Sequence, residues 1–158
     1  MMKKIRVVAL LLTVLLLVGC GAKSAEVNLE QAYQSGMDTI EQANGDIPYM
    51  EAETDPQALE QLYPGIGEIA RKQTVVYVSP IAMMPAEVVM IEVENSADAA
   101  KMADILRARI DSRANDAFYP DSVAQWKNAA QVNVSGSYVV MAVMPEGVDL
   151  PDEFLAKF

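Results

Sequence analysis

The sequence predicts an α+β domain with a mostly antiparallel four-stranded sheet in β-β-α-β-β order, N-terminal helices and a short C-terminal helix. Four runs of β-branched and apolar residues, at 74–78, 86–93, 131–134 and 138–144, have the composition of strands. Segments in which apolar residues recur at helical spacing precede, separate and follow these runs. Because the strands lie in pairs on either side of one long helix, the pattern is typical of an α+β sheet.

Two helices are predicted before the first strand. Asn28 can cap a helix from Leu29 to about Ala43, because its side chain can accept a hydrogen bond from the first turn. Asp55-Pro56 starts a second, shorter helix, since proline is favoured at the first helical position. Tyr63-Pro64-Gly65 ends it.

The four strands are predicted to form two hairpins. The loop of the first hairpin is bounded by Pro80 and Pro85, and the second turns at Ser135-Gly136-Ser137. The strands are apolar on both faces, which indicates that both faces of the sheet are covered. We expect the long helix on one side and the N-terminal helices on the other.

The longest predicted helix runs from Asn95-Ser96 to about Ala117, between the hairpins. A short helix that carries Trp126 follows it, and Pro151 starts the C-terminal helix. The stripe of the long helix that is expected to be buried consists of Ala99, Ala103, Leu106, Ile110 and Ala114. Arg109 and Arg113 lie toward its C-terminal end, where cations suit the helix dipole.

The first 20 residues have the layout of a bacterial lipoprotein signal peptide. Three cationic residues occur within the first six positions, and the apolar stretch 7–18 is 12 residues long. A membrane-spanning helix needs about 20 residues, so this stretch is too short to span. The only cysteine, Cys20, follows Gly19 at its end. In such signals the cysteine is lipidated, and the peptide is cut before it.

This interpretation divides the chain into a signal peptide at 1–19, a lipidated cysteine and tether at 20–27, and a single α+β domain at 28–158. Each buried methylene of an acyl chain such as palmitate contributes about 0.8 kcal/mol, so two or three chains on Cys20 would hold the domain to the membrane. The tether can span at most roughly 25 Å. We therefore expect the protein on the outer face of the cell membrane.

Charge excludes one class of partner. Removal of the signal peptide leaves nine Lys and Arg against 22 Asp and Glu, a net charge of −13. The segment 24–70 contains ten acidic residues and no Lys or Arg. A surface of this kind is repelled by nucleic acid, so we exclude nucleic-acid binding.

No catalytic, cofactor-binding or metal-binding residue is assigned from the sequence. The chain contains no histidine, which removes the commonest general base. The densest acidic group, Glu51, Glu53 and Asp55, is open to three interpretations: a solvated loop, a Ca²⁺ site, or the paired carboxylates of a hydrolase. We favour the solvated loop, because the glycine-containing pattern of a known calcium motif is absent. Methionine thioethers could bind Cu(I), but methionine more often fills core space.

The loop of the first hairpin carries three large apolar side chains, Ile81, Met83 and Met84. Two interpretations compete. The loop can pack onto the C-terminal helix near Phe154 and Phe158, which we favour because apolar residues are more often buried. Alternatively, Ile81, Met83 and Met84 form a partner contact, since methionine adapts well to a partner surface.

Several short segments carry a resemblance to a known family. They are Leu62–Ile66, Val76–Ser79, Ala86–Ile91, Asp98–Ala100 with the following Arg109, Tyr119-Pro120, Asn128-Ala129 and Gly136–Val139. In their order and spacing, residues 62–144 resemble an uncharacterised family of Gram-positive bacterial membrane lipoproteins, catalogued as a domain of unknown function. The resemblance implies a membrane-attached extracytoplasmic protein and brings no activity, ligand or site residue with it.

The sequence therefore favours a non-enzymatic binding or interaction module of the cell envelope, whose partner is another envelope protein or a peptide. The alternative is a small cell-wall hydrolase that uses paired carboxylates, which would need two carboxyl groups about 5–10 Å apart in a pocket. A solute receptor for a transporter is a third hypothesis, but such receptors usually have two lobes.

We predict that Cys20→Ala abolishes retention at the membrane by lipid, because the thiol is the attachment point for the acyl chains. Metabolic labelling with a fatty-acid analogue is expected to mark the wild type and to leave the variant unlabelled. Equal labelling of the two proteins would contradict the lipoprotein interpretation.

Overall fold

The computed structural model describes residues 26–116 and 119–150. In chain order the helices and strands are α1 (Leu29–Asn44), β1 (Glu51–Ala52), α2 (Pro56–Leu62), β2 (Arg71–Val78), β3 (Glu87–Val93), α3 (Ala99–Ala114), α4 (Pro120–Asn128), β4 (Gln131–Ser135) and β5 (Tyr138–Val143). The protein is α+β, with one five-stranded antiparallel sheet in the order β1-β2-β3-β5-β4.

The predicted four-stranded sheet in β-β-α-β-β order is wrong. The sheet has a fifth strand, β1, which pairs Glu51 with Val78 and Ala52 with Tyr77. Because β1 is two residues long and both are exposed, it has no alternation that could mark it in the sequence. Two helices, α3 and α4, separate the hairpins; α4 is the short helix predicted around Trp126, which the β-β-α-β-β order leaves out. The predicted C-terminal helix and signal peptide lie outside the described residues, as do most positions of the tether.

Side chains and a glycine define the ends of the first helices. The Asn28 side chain accepts a hydrogen bond from the Gln31 N–H at 2.9 Å, and Asp55 accepts one from Ala58 at 2.8 Å. These are the caps that the sequence predicts for α1 and α2. Gly45 ends α1 with φ of 81°, a left-handed conformation that glycine adopts without the steric cost of a Cβ.

Strand β3 lies at the centre of the sheet, and all seven of its residues are buried. On one face of β3, Val89 and Ile91 pack in a cluster with residues of three helices. The members of that cluster include Leu59 of α2 and the adjoining Tyr63, Met102 and Leu106 of α3, and Trp126 of α4. Helix α2 therefore lies on the same side as α3, whereas the sequence placed both N-terminal helices on the opposite side.

Helix α1 covers the other face of the sheet. Leu29 and Ile40 of α1 are fully buried in a cluster with Val88 and Met90 of β3. The ring of Tyr33 on α1 stacks on Tyr77 of β2 with 3.8 Å between ring centroids. The sheet is thus the middle of three layers, which explains why its strands are apolar on both faces.

Strand register distinguishes the two ends of the sheet. At one end, which we call the tether end, Gln73, Glu92 and Tyr138 are aligned across β2, β3 and β5. Gln73 donates a hydrogen bond to the Val27 carbonyl at 2.8 Å, and the Val27 N–H donates to the Tyr138 hydroxyl at 3.3 Å. The chain therefore enters the domain at the tether end.

At the opposite end, which we call the loop end, Val78, Glu87 and Val143 are aligned across the same strands. The segment 79–86 connects β2 and β3 there. Gln73 and Val78 are five positions apart in β2, which corresponds to roughly 16 Å along the strand. The segment 79–86 and the entry of the chain thus lie at opposite ends of the sheet.

Glu92 is a buried carboxylate at the tether end, on the face covered by α1. It accepts hydrogen bonds from Lys72 Nζ at 3.0 Å and from Gln73 Nε2 at 2.7 Å. Burial raises the pKa of Glu92, but these two donors outweigh it and hold the pKa below the ordinary glutamate value. The ionised form is therefore the one that the fold stabilises.

We predict that Glu92 makes the protein less stable in acid. Because its pKa is lower in the folded than in the unfolded state, its contribution is present at neutral pH and is lost as pH falls through the folded-state pKa. Glu92→Gln is expected to flatten the fall in the free energy of unfolding between about pH 6 and pH 3, measured by urea unfolding. The exposed Glu94→Gln should keep the wild-type slope. Equal slopes for Glu92→Gln and wild type would contradict this role.

Candidate functional site

A cavity of about 290 Å³ opens at the loop end, between the segment 79–86, the start of β3 and the helices α3 and α4. Its charged lining residues are Glu87, Arg109 and Arg113. The apolar part of its wall includes Leu62, Val78, Ile81, Met84 and Trp126. We call it the arginine cavity. Two other cavities in the described part of the chain are of similar volume, so its buried charges, and not its size, single it out.

Glu87 and Arg109 form an ion pair in the floor of the arginine cavity. Arg109 Nε donates to Glu87 Oε1 at 3.1 Å, and Nη2 donates to Oε2 at 2.8 Å. The two side chains are 4% and 17% exposed, respectively. The Tyr63 hydroxyl donates a further hydrogen bond to Glu87 Oε1 at 2.8 Å. Both carboxylate oxygens of Glu87 are therefore occupied by charge-assisted or phenolic donors.

Tyr63 and Arg109 have fixed protonation states. Burial and the charge of Glu87 both raise the pKa of Tyr63, so its hydroxyl stays protonated and donates. Burial lowers the pKa of Arg109, but the hydrogen bonds and charge of Glu87 outweigh it, and the net pKa lies above the ordinary arginine value. Tyr63 and Arg109 therefore have no proton to exchange near neutral pH.

Trp126 lies close to both arginines. The guanidinium carbons of Arg109 and Arg113 are 5.7 Å and 5.9 Å from its ring, distances at which cation–π attraction operates. Arg113 Nη2 also donates to the Ala82 carbonyl at 2.8 Å, and its Nη1 lies 3.0 Å from Asp116 Oδ2. Arg113 therefore ties the segment 79–86 to α3.

The cavity region has more hydrogen-bond donors than acceptors. Trp126 Nε1 and Arg113 Nε are buried and have no hydrogen-bond partner within the described residues. Arg109 uses Nε and Nη2 on Glu87, which leaves Nη1 without a partner in the same part of the chain. Nη1 is not among the buried unpaired atoms, so it remains accessible. Unpaired buried donors are uncommon in folded proteins, and a bound acceptor group is one explanation for them.

The segment 79–86 presents apolar side chains at the rim of the arginine cavity. Ile81 is 47% exposed and Met83 is 64% exposed, while Met84 is half-buried and lines the cavity. Met84 N donates to the Ile81 carbonyl at 2.9 Å, which closes a turn. The helix against which this loop could pack, near Phe154, lies outside the described residues, so the choice between core and partner contact stays open.

Comparison with known proteins identifies a family domain that contains the cavity. A family model described as "Domain of unknown function (DUF4358)" matches residues 43–144, about two thirds of the chain. The chain belongs to this family. No curated protein and no solved structure matches it significantly. Every residue that lines the arginine cavity lies within the DUF4358 match, whereas nearly all of α1 precedes it.

The acidic residues at 51–55 in the DUF4358 domain do not converge on one point. Glu51 accepts a hydrogen bond from the Tyr49 hydroxyl at 3.1 Å, and Glu53 accepts one from the Asp55 N–H at 2.8 Å. Asp55 caps α2 through its own carboxylate. Among residues 26–116 and 119–150, no group of three or more acidic, histidine or cysteine side chains is arranged to hold a metal ion.

Two further sequence predictions concern the membrane. The lipidation site Cys20 lies outside the described residues. Within the described part of the chain, no helix has the length and apolar content needed to cross a bilayer.

Sequence reasoning missed the roles of Glu87, Arg109 and Arg113. It assigned the arginines to the helix dipole alone. The overlooked signal is their spacing: Arg109 and Arg113 follow Leu106 by three and seven residues, so they continue the buried face of α3. Charged residues on a buried helix face need partners, and the apolar strand β3 offers one at its first residue, Glu87.

Proposed function

We propose that the protein is a lipid-anchored lipoprotein on the outer face of the cell membrane, and that its loop end binds another envelope protein or a peptide without chemical conversion. The observation that carries the binding proposal is an exposed apolar rim beside a donor-rich cavity. Ile81 and Met83 form the rim, and Arg109 and Trp126 lie within the cavity. Apolar side chains around a polar, partly buried centre are characteristic of binding surfaces.

The distribution of exposed apolar residues supports this site. The large apolar side chains that stand exposed in the described residues are Tyr49, Ile81, Met83 and Val134. Two of them lie within one loop, whereas single exposed apolar residues are common and need no explanation. Methionine suits such a surface, because its flexible thioether can adapt to a partner.

The position of the tether supports a partner in preference to insertion of the loop into the protein's own membrane. The chain enters the domain at the tether end, where Val27 is held by Gln73 and Tyr138. Ile81 and Met83 lie at the loop end, beyond roughly 16 Å of sheet. A lipid anchor on Cys20 would therefore attach at the end of the sheet opposite the loop, which leaves the loop able to meet another envelope component.

The chemistry of the cavity supports binding over hydrolysis. A hydrolase that acts through paired carboxylates needs one carboxyl group to deliver a proton and a second about 5–10 Å away. Glu87 is the only carboxylate that lines the arginine cavity in the described residues, and its oxygens are engaged by Arg109 and Tyr63. We therefore favour a non-enzymatic module.

Photo-crosslinking in living cells tests this function. A photoreactive amino acid at Met83 is expected to capture a specific extracytoplasmic protein or peptide, which mass spectrometry then identifies. Met83 is exposed, so the replacement should change the free energy of unfolding by less than about 0.5 kcal/mol. The same amino acid at Val134, an exposed residue on the edge strand β4, is the matched control and should not capture that partner. Identical products from both positions, or none from position 83, would contradict the proposal.

A further inference from the structure

We propose that the arginine cavity binds the carboxylate of a small apolar group, namely the C-terminal residue of a peptide with an aliphatic side chain. This inference rests on the proposed function and names the chemistry that the same site recognises. It follows from three properties of the cavity: its surplus of donors, its charge, and its size.

The unpaired hydrogen-bond donors of the cavity favour a ligand that supplies hydrogen-bond acceptors. Glu87, the one carboxylate of the lining in the described part of the chain, already accepts from Tyr63 and Arg109 on its two oxygens. Arg109 keeps Nη1 available, and Trp126 Nε1 is buried without an acceptor among the described residues. A ligand rich in donors, such as an amine, would compete for a Glu87 carboxylate that already accepts three hydrogen bonds, whereas a carboxylate supplies two acceptor oxygens.

Charge favours an anion over a neutral amide. In the described part of the chain the lining itself holds two arginines and one carboxylate, and each arginine is ion-paired, Arg109 with Glu87 and Arg113 with Asp116. Asp116 binds Arg113 but lies outside the lining of this cavity. An arginine guanidinium matches the planar geometry of a carboxylate, and hydrogen bonds between charged groups are about twice as strong as those between neutral ones.

The size and walls of the cavity limit what the carboxylate can be attached to. Its volume of about 290 Å³ is close to the smallest volumes usual for ligand sites, about 300 Å³. The aliphatic side chains of Val78, Ile81 and Met84 form part of the wall. A single aliphatic residue with its terminal carboxylate fits this description.

The chain carries its own reporter for the test. Trp126 is the only tryptophan and lines the arginine cavity, so emission excited selectively from tryptophan, and not from the six tyrosines, reports on this site. Full-length protein in lipid nanodiscs is titrated with N-acetyl-leucine and, separately, with N-acetyl-leucinamide. We expect a saturable change in Trp126 emission with the acid, and at least about tenfold weaker binding of the amide, because the amide lacks the charge.

Two variants of matched size separate the effect of charge from that of shape. Ile81→Asp puts a negative charge at the rim, and Ile81→Asn is its neutral isostere; neither replaces a buried residue. We expect Ile81→Asp to bind N-acetyl-leucine about fivefold more weakly than Ile81→Asn, while both bind the amide equally. Hexanoate, which carries the carboxylate without a peptide group, should bind more weakly than N-acetyl-leucine.

Four results would overturn the inference. Equal affinity for acid and amide, or equal affinity of the two variants for the acid, removes the carboxylate from the proposal. Tighter binding of hexanoate than of N-acetyl-leucine would show that the site does not recognise a peptide group. No response to either leucine derivative, together with specific capture through Met83, rejects the carboxylate but leaves the proposed function standing. Selective binding of the acid with no capture through Met83 supports the carboxylate site but contradicts the proposed function of the rim.

Discussion

Glu87 is a negative charge buried between the sheet and its helices, and such a charge needs a nearby cation and hydrogen-bond donors. Both are present. The carboxylate is 4% exposed and is bound by Arg109 of α3 and by Tyr63, the residue that follows α2. Removing one partner from such a pair leaves an uncompensated buried charge and costs about 3–5 kcal/mol. The pair thus fixes α3 against β3. The position of α3 in turn sets where Arg113 meets the segment 79–86 and where Trp126 lies.

The same central strand carries a second buried carboxylate at its other end. Glu87 and Glu92 are five positions apart, so their side chains lie on opposite faces of β3. Glu87 meets Arg109 in the layer of α3, and Glu92 meets Lys72 and Gln73 in the layer of α1. A shift of β3 by one residue would place both charges among apolar side chains on the wrong faces. These two glutamates therefore specify the register of a strand that is otherwise apolar on both sides.

The sequence allowed the long elements to be predicted, because each has a local signature. The four longer strands begin and end within three residues of their predicted bounds. The order of strands could not be predicted, since the insertion of β5 between β3 and β4 depends on pairing over long distances in the chain. The two-residue β1 has no periodicity to detect. The Glu87–Arg109 pair joins residues 22 positions apart on different elements, and the spacing that puts Arg109 on a buried helix face does not say which residue it pairs with. The cavity depends on that pair, so the candidate site became visible only in three dimensions.

A double-mutant cycle on Glu87 and Arg109 tests most directly whether this pair organises the loop end. Glu87→Gln and Arg109→Met are each expected to lower the free energy of unfolding by about 3–5 kcal/mol. The double variant should lose less than the sum by about 2 kcal/mol or more, because it leaves no buried charge unpaired. The exposed pair Asp104–Arg107, at 2.9 Å, is the matched control and should show almost no coupling. Additive effects of the Glu87 and Arg109 substitutions, with coupling no greater than in the control pair, would contradict the organising role of the buried ion pair.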